Sequence, residues 1–151
     1  VRTEIRIESP RGDEIEALLR VRNAHFAALY PGREGLEVTS ASLADPDVRF
    51  FAVRLAGGLV GCGALIVRTD YGELKRFFLR KEARGQGLGA RLLGVIEDEA
   101  RRLGIKVIRL EVGVRQTEAF NLYMRAGYTP IDPFGTYVGD PLSRYLEKTL
   151  D

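Results

Sequence analysis

Apolar and polar residues alternate from Thr3 to Glu8, a period of two that predicts a β-strand. The period then lengthens. Ile15, Leu18, Leu19, Phe26 and Leu29 recur at helical spacing, which predicts a helix over Asp13–Leu29, with Asp13 as its N-cap or a first-turn acid and Pro31-Gly32 ending it. Thr39 to Leu43 reads as a short helix before Pro46, and residues 30 to 48, the least regular stretch, are expected to form a substrate-facing loop. Arg49–Leu55 and Leu59–Arg68 read as strands joined by a tight hairpin at Ala56-Gly57-Gly58, and Leu74–Arg80 as another strand. A glycine-rich segment precedes a helix running to Leu103, whose buried face is Leu88, Leu92, Ile96, Ala100 and Leu103, with Gly104 at its end. Lys106–Val112 is expected as a strand, Thr117–Ala126 as a helix stopped by Gly127, and Tyr128–Ile131 with Arg144–Leu150 as an antiparallel pair.

This order is mixed α/β: antiparallel strands first, then a βαβ unit in the middle. The 151 residues suit one domain over 1–151, and a 45% hydrophobic content is enough for a core without disulfides. No repeat, low-complexity tract or linker interrupts the chain. The longest apolar run, Leu59 to Val67, is broken by Gly61 and Gly63 and is too short to span a bilayer. The alternating start does not read as a signal peptide. Cys62 is the sole cysteine, so no intrachain disulfide forms, and a reducing, cytoplasmic location is expected. One cysteine and one histidine, His25, cannot build the usual zinc sites, and no metal is expected. Net charge is +2 from 23 basic and 21 acidic residues, a balance that argues against a nucleic-acid coat protein. Neither nucleic acid nor membrane is therefore expected as a partner.

The strongest chemical signal is Arg84-Gly85-Gln86-Gly87-Leu88-Gly89, set between a strand and a helix. The first amides of a helix lack intrahelical acceptors, glycine lets an anion approach the backbone, and the helix dipole favours negative charge. Arg80, Lys81 and Arg84 add nearby cations. A phosphate or pyrophosphate ligand is expected. A ligand-free structural turn is the plainest rival. A P-loop is excluded, because Gly89-Ala90-Arg91 stands where that motif needs Gly-Lys-Ser/Thr. Gly85, Gly87 and Ala90 satisfy a dinucleotide pattern, with Glu111 as the acid ending the next strand. Its mid-chain place behind antiparallel strands, and its distance from the preceding strand, count against that reading.

Glu73 through Gly89 resembles the cofactor-binding motif of the GCN5-related N-acetyltransferases (GNAT), whose core is Arg/Gln-x-x-Gly-x-Gly/Ala, here Arg84-x-x-Gly87-x-Gly89. Gln116 through Tyr128 is similar to the family's Asn-x-x-Ala-x-x-Leu-Tyr-x-x-x-Gly-Phe/Tyr segment, with Ala119, Leu122-Tyr123 and Gly127-Tyr128 in place. The element order matches over essentially the whole chain. The resemblance implies a twisted, mostly antiparallel sheet of six to seven strands with helices on both faces. It also implies acetyl-CoA as donor and an amine of a small molecule or protein as acceptor.

Carried over residue by residue, the backbone of Phe77, Phe78 and Leu79 would bind the pantetheine arm and thioester carbonyl. Arg84, Gly85, Gln86, Gly87, Leu88, Gly89 and Ala90 would hold the pyrophosphate. Gln116 stands where the family often has an Asn on the cofactor; Gln is longer, which leaves that contact open. Tyr123, on position alone a half-buried helix aromatic, becomes the general acid facing the leaving sulfur. A thiol near ~8.5 and a tyrosine near ~10 make full proton transfer uphill by roughly 2 kcal/mol, so a hydrogen bond is the more modest role. Glu73 and Glu111 are equal candidates for general base; the alternative is a carboxylate paired with Lys75, Arg76 or Arg109. His25 reads as a surface or rim histidine, Cys62 as a small core or strand residue, and Arg20 and Arg22 as solvated helix positions. Tyr30, Tyr137 and the Phe134–Tyr137 loop either line the acceptor pocket or pack an edge. Two other function classes stay open: an acyl-CoA-binding sensor that has lost catalysis, and a dinucleotide-binding oxidoreductase. Edge strands could pair in a homodimer.

Overall fold

Seven strands form one sheet in the order β1-β2-β3-β4-β5-β7-β6, in a computed structural model that describes residues 2–33 and 38–151. Residues 34 to 37 of the expected substrate-facing loop lie outside the described residues. The elements are β1 (Thr3–Ile7), α1 (Asp13–Leu29), β2 (Val48–Leu55), β3 (Gly58–Val67), β4 (Gly72–Leu79), α2 (Leu88–Arg102), β5 (Val107–Gly113), α3 (Thr117–Arg125), β6 (Thr129–Ile131) and β7 (Ser143–Thr149). Ser40–Leu43 is a 3-10 turn, and a second, unexpected one covers Lys81–Ala83. The β2–β3 hairpin turns at Ala56 and Gly57, both at positive φ (49° and 86°), the signature of a two-residue turn that matches strand twist.

Alternation in β2 assigns the two faces. Phe51 and Val53 enter one core with Leu88, Leu92, Ile96 and Ala100 of α2 and Tyr123 of α3. Phe50 and Ala52 enter the other, with Ile15, Leu18 and Leu19 of α1, and Cys62 and Phe78. Helices therefore cover both faces. All neighbouring strands are antiparallel except β4 and β5. A single parallel pair is incompatible with the doubly wound parallel sheet of dinucleotide-binding folds, so the oxidoreductase reading fails on topology.

Two irregularities in β4 open and shape the sheet at its centre. Its pairing with β5 covers only Gly72–Leu74 against Ile108–Leu110, after which the strands part. Its register with β3 shifts between Cys62 and Ala64, so that Arg76 and Phe77 together oppose Gly63. Arg76 sits at φ 58°, a left-handed conformation uncommon outside glycine and typical of a bulge. The Cys62 thiol donates to the Arg76 carbonyl at 3.2 Å and pins the bulge from behind.

Candidate active site

The parting of β4 and β5 opens the sheet into two clefts. One, of about 610 Å³, runs between β4, the glycine loop and α3. The other, of about 450 Å³, lies beneath α1 and the segment leading into β7. Phe26, Phe77 and Gln116 line both, so the clefts meet there.

Phe77, Phe78, Leu79, Arg84, Gly85, Gly87, Leu88, Gly89, Ala90 and Gln116 all line the larger cleft. Gln86 does not; its side chain donates back to the Glu82 carbonyl at 3.2 Å. Along β4, residues 75 to 79 have no strand partner on the β5 side, which leaves an edge of backbone donors and acceptors facing the cleft. At the loop, Gly85 and Gly87 adopt φ 76° and 77°, and a Cβ at either would point into open space. The amides of Gly87, Leu88, Gly89 and Ala90 donate to no other described residue. These glycines therefore serve the left-handed backbone and leave the face of the loop open. Gly89 is different: a Cβ there would lie 3.1 Å from Leu122 Cδ2, so it lets α2 approach α3.

Arg84 lines the cleft and donates to the Leu79 carbonyl at 3.0 Å, while its guanidinium lies 5.6 Å from the Phe78 ring centroid. Of the other expected cations, Arg80 turns to the Leu59 carbonyl at 3.3 Å, and neither Arg80 nor Lys81 lines the cleft. Arg115 and Arg125, which the sequence did not single out, line it instead. His25 lies on the same wall, 5.9 Å from Phe78 between ring centroids; burial and the Arg84 charge lower its pKa, so the ring is neutral at physiological pH.

In the smaller cleft Tyr123 is 4% exposed and packs edge-on against Phe77 at 5.7 Å. Its hydroxyl has no hydrogen-bond partner among the described residues, and burial, assisted by the Glu111 charge, pushes its pKa up. Glu111 lines this cleft and accepts a short hydrogen bond from Ser143. Glu73 is buried beside the cleft with both oxygens engaged. Arg68 donates to one at 2.9 Å, the Tyr137 hydroxyl to the other at 2.8 Å, and Lys75 Nζ lies 3.8 Å away. The two carboxylates ranked as equals by sequence thus stand in different surroundings.

Tyr30, Thr136 and Tyr137 line the same cleft, while Phe134 stacks behind Tyr137 at 5.1 Å. Tyr30 is held by the Arg115 amide, 3.2 Å from its hydroxyl. Arg20 is exposed as expected, but Arg22 corrects the reading of a solvated position: it is 8% exposed and lines the cleft, 3.9 Å over the Phe26 ring. The signal was present. Arg22 continues the stripe of Ile15, Leu18 and Leu19 towards Phe26, and a cation on an apolar stripe needs a reason.

Arg33 and Asp140, both on the cleft wall, join through two bonds of 2.8 and 2.7 Å. The guanidinium and the Leu142 amide hold the Asp140 carboxyl down at about 2. A depressed carboxylate keeps its contribution above its ordinary range and loses it as pH falls, so this clasp persists through about pH 4 and opens only towards pH 2. Asp140→Asn is expected to lower Tm by no more than about 3 °C, as suits a partly exposed pair; thermal melts at neutral pH check this.

Residues 15–128 match the family model described as the acetyltransferase (GNAT) family. The chain belongs to the GNAT acetyltransferases. It is 42% identical over 145 residues to the IAA acetyltransferase of Azospirillum brasilense, covering 95% of each chain. A crystal structure from Klebsiella pneumoniae, described as an acyl-CoA N-acyltransferase, is 33% identical and superposes with a TM-score of 0.84 over 99% of this chain and 98% of the other. The PaiA N-acetyltransferase of Thermoplasma acidophilum, solved in complex with coenzyme A, shares the fold at a TM-score of 0.79 and 22% identity, over 99% of this chain and 100% of the other. The acetyltransferase uses acetyl-CoA as donor and requires an acceptor substrate. No helix among the described residues is long and apolar enough to cross a membrane.

Proposed function

We propose that the acetyltransferase acetylates the primary amine of an acceptor by direct attack, with Glu111 as general base and Tyr123 as general acid. The observation that carries this is the junction of the two clefts. An open backbone edge and unbonded helix amides lie on one side, and Glu111 with the free Tyr123 hydroxyl on the other. When bound, the donor supplies an acetyl group activated as a thioester. The amides of Gly87 to Ala90, with Arg84, suit its diphosphate in charge and shape, and the free edge of residues 77–79 suits an amide-bearing arm. An amide on that edge can also stabilise negative charge on the carbonyl oxygen under attack.

Glu111 is the better-placed base. It lines the cleft, whereas Glu73 is tied to Arg68 and Tyr137 and better fits the role of holding Tyr137 in the wall. Tyr123 holds its proton at the junction. Because burial raises its pKa, full transfer to a thiolate is still less favourable than with an unperturbed phenol, and a donated hydrogen bond is its contribution. A covalent acetyl-enzyme has no support: the Cys62 thiol is buried and pushed up to about 12.

The test is thiol release from acetyl-CoA against an amine panel, with mass spectrometry for an acetylated enzyme, which should not accumulate. Glu111→Gln is expected to lower kcat/KM about 10²-fold at neutral pH. The deficit should shrink as pH approaches about 10, where the amine loses its proton unaided. A deficit independent of pH would assign Glu111 a role other than base.

A further inference from the structure

The bulge in β4 breaks strand alternation, and Lys75, Arg76 and Phe77 in succession line the acceptor cleft. Among the described residues four cationic side chains line that cleft, Arg22, Arg33, Lys75 and Arg76, against two carboxylates, Glu111 and Asp140. Arg33 and Asp140 neutralise each other, Lys75 lies 3.8 Å from the Glu73 carboxylate beside the cleft, and Glu111 takes its bond from a neutral Ser143. Arg76 forms no ion pair with any described residue, and its Nε is buried without a hydrogen-bond partner. Leaving a buried donor unmade costs free energy that a bound acceptor atom would recover. Burial and then the Arg76 charge lower the Arg22 guanidinium to about 10, still protonated at neutral pH. Burial likewise lowers Lys75.

We propose that Arg76, with Lys75 beside it, forms an anion subsite that receives a carboxylate of the acceptor, so that the molecule acetylated is an amino acid. The rest of the cleft agrees with this occupant. Phe26, Tyr30, Tyr137 and Tyr145 supply apolar and aromatic walls for a side chain, and Glu111, a carboxylate not held by an arginine, suits the ammonium end. A guanidinium fork matches a carboxylate in two parallel bonds, and the backbone strain at Arg76 is the kind stored where a side chain must be aimed. The inference rests on the acetyl-transfer reading and specifies its acceptor.

The experiment compares amino acids with the amines left when the carboxylate is absent: phenylalanine with phenethylamine, and leucine with 3-methylbutylamine. Both binding to the coenzyme A-saturated enzyme and acetylation are measured. The carboxylate-bearing member of each pair is expected to be preferred in kcat/KM by about 10- to 100-fold, the range that one or two charge-assisted hydrogen bonds supply. Arg76→Gln should bring that preference close to unity through KM, and Arg76→Lys should restore part of it. Calorimetric coenzyme A affinity reports that each variant is folded. Equal use of both members, or a preference that survives Arg76→Gln, overturns the inference and leaves acetyl transfer standing. Failure of every pair to bind overturns it as well, and the coenzyme A titration then decides separately whether the acetyltransferase reading stands.

Discussion

Tyr123→Phe is expected to lower kcat by about 10²-fold or more, within the span of a lost general acid, while coenzyme A affinity stays within about twofold. The variant keeps the ring that packs against Phe77 at 5.7 Å and Tyr128 at 5.8 Å, so the cleft should hold its shape. Only the hydroxyl goes, and it bonds to no other described residue, so no protein contact is lost with it. A purely structural Tyr123 would leave turnover unchanged, or would disturb stability and activity together. The pH profile adds a second check. A phenol whose pKa is raised by burial keeps its proton throughout the range in which the enzyme is folded, so the wild-type rate should show no alkaline decline from Tyr123 ionisation. Any fall above about pH 9 that Tyr123→Phe abolishes would contradict a buried, protonated donor. Pre-steady-state acetyl transfer, monitored beside equilibrium binding of coenzyme A, separates the chemical step from donor affinity.

Gly113→Ala should be the most disruptive small substitution. A Cβ at Gly113 would stand 1.8 Å from Tyr30 Oη and 2.7 Å from Gln116 Oε1. The obstacle is the end of a rigid ring, itself 6% exposed and fixed by the Arg115 amide. Gln116 cannot simply withdraw either, because its side-chain oxygen accepts the Gly113 amide at 2.8 Å. Over-packing of this kind costs about 1–3 kcal/mol, which lowers Tm by about 2–12 °C in a chain of this size. The acceptor KM should rise too, since Tyr30 and Gln116 both line that cleft. Shortening the obstacle with Tyr30→Leu in the Gly113→Ala background should recover part of the Tm. Gly94→Ala provides the contrast: inside α2, a Cβ there meets nothing within 4 Å, so lower backbone entropy in the unfolded chain should make the change neutral or stabilising. Thermal melts of these variants against wild type check the set. A Gly113→Ala protein as stable as wild type would mean that Tyr30 is not fixed where the structure has it.

Most of the chain was legible one element at a time. The 3.6-residue spacing of Leu88, Leu92, Ile96 and Ala100 named the buried face of α2, and all four are fully buried or nearly so. Local periodicity works here because each side chain's direction is fixed by its own backbone dihedrals, and burial then selects the apolar set. The same holds for the glycine loop, whose left-handed residues and unbonded amides are properties of a few consecutive positions. Stop signals were less exact, and most strand ends moved by one or two residues, because a strand ends where its neighbour stops pairing.

What tertiary structure decided was which distant residues share one space. Nothing in the chain says that β4 and β5 pair for three residues and then part, since that divergence depends on both strands and on what packs beneath them. Sequence could rank Glu73 and Glu111 only as equals; their separation came from Arg68 and Tyr137 on one side and Ser143 on the other, contacts set by the packing of whole strands. Arg22 and Arg76 lie 54 positions apart and meet through the fold alone. The amino-acid sequence by itself determined the elements and the left-handed glycine loop, because each is a local consequence of backbone geometry; Tyr123 as a candidate acid came from the family resemblance. The surroundings that give those groups their charge, burial and partners are long-range, and only the assembled sheet with its two helix layers could set them.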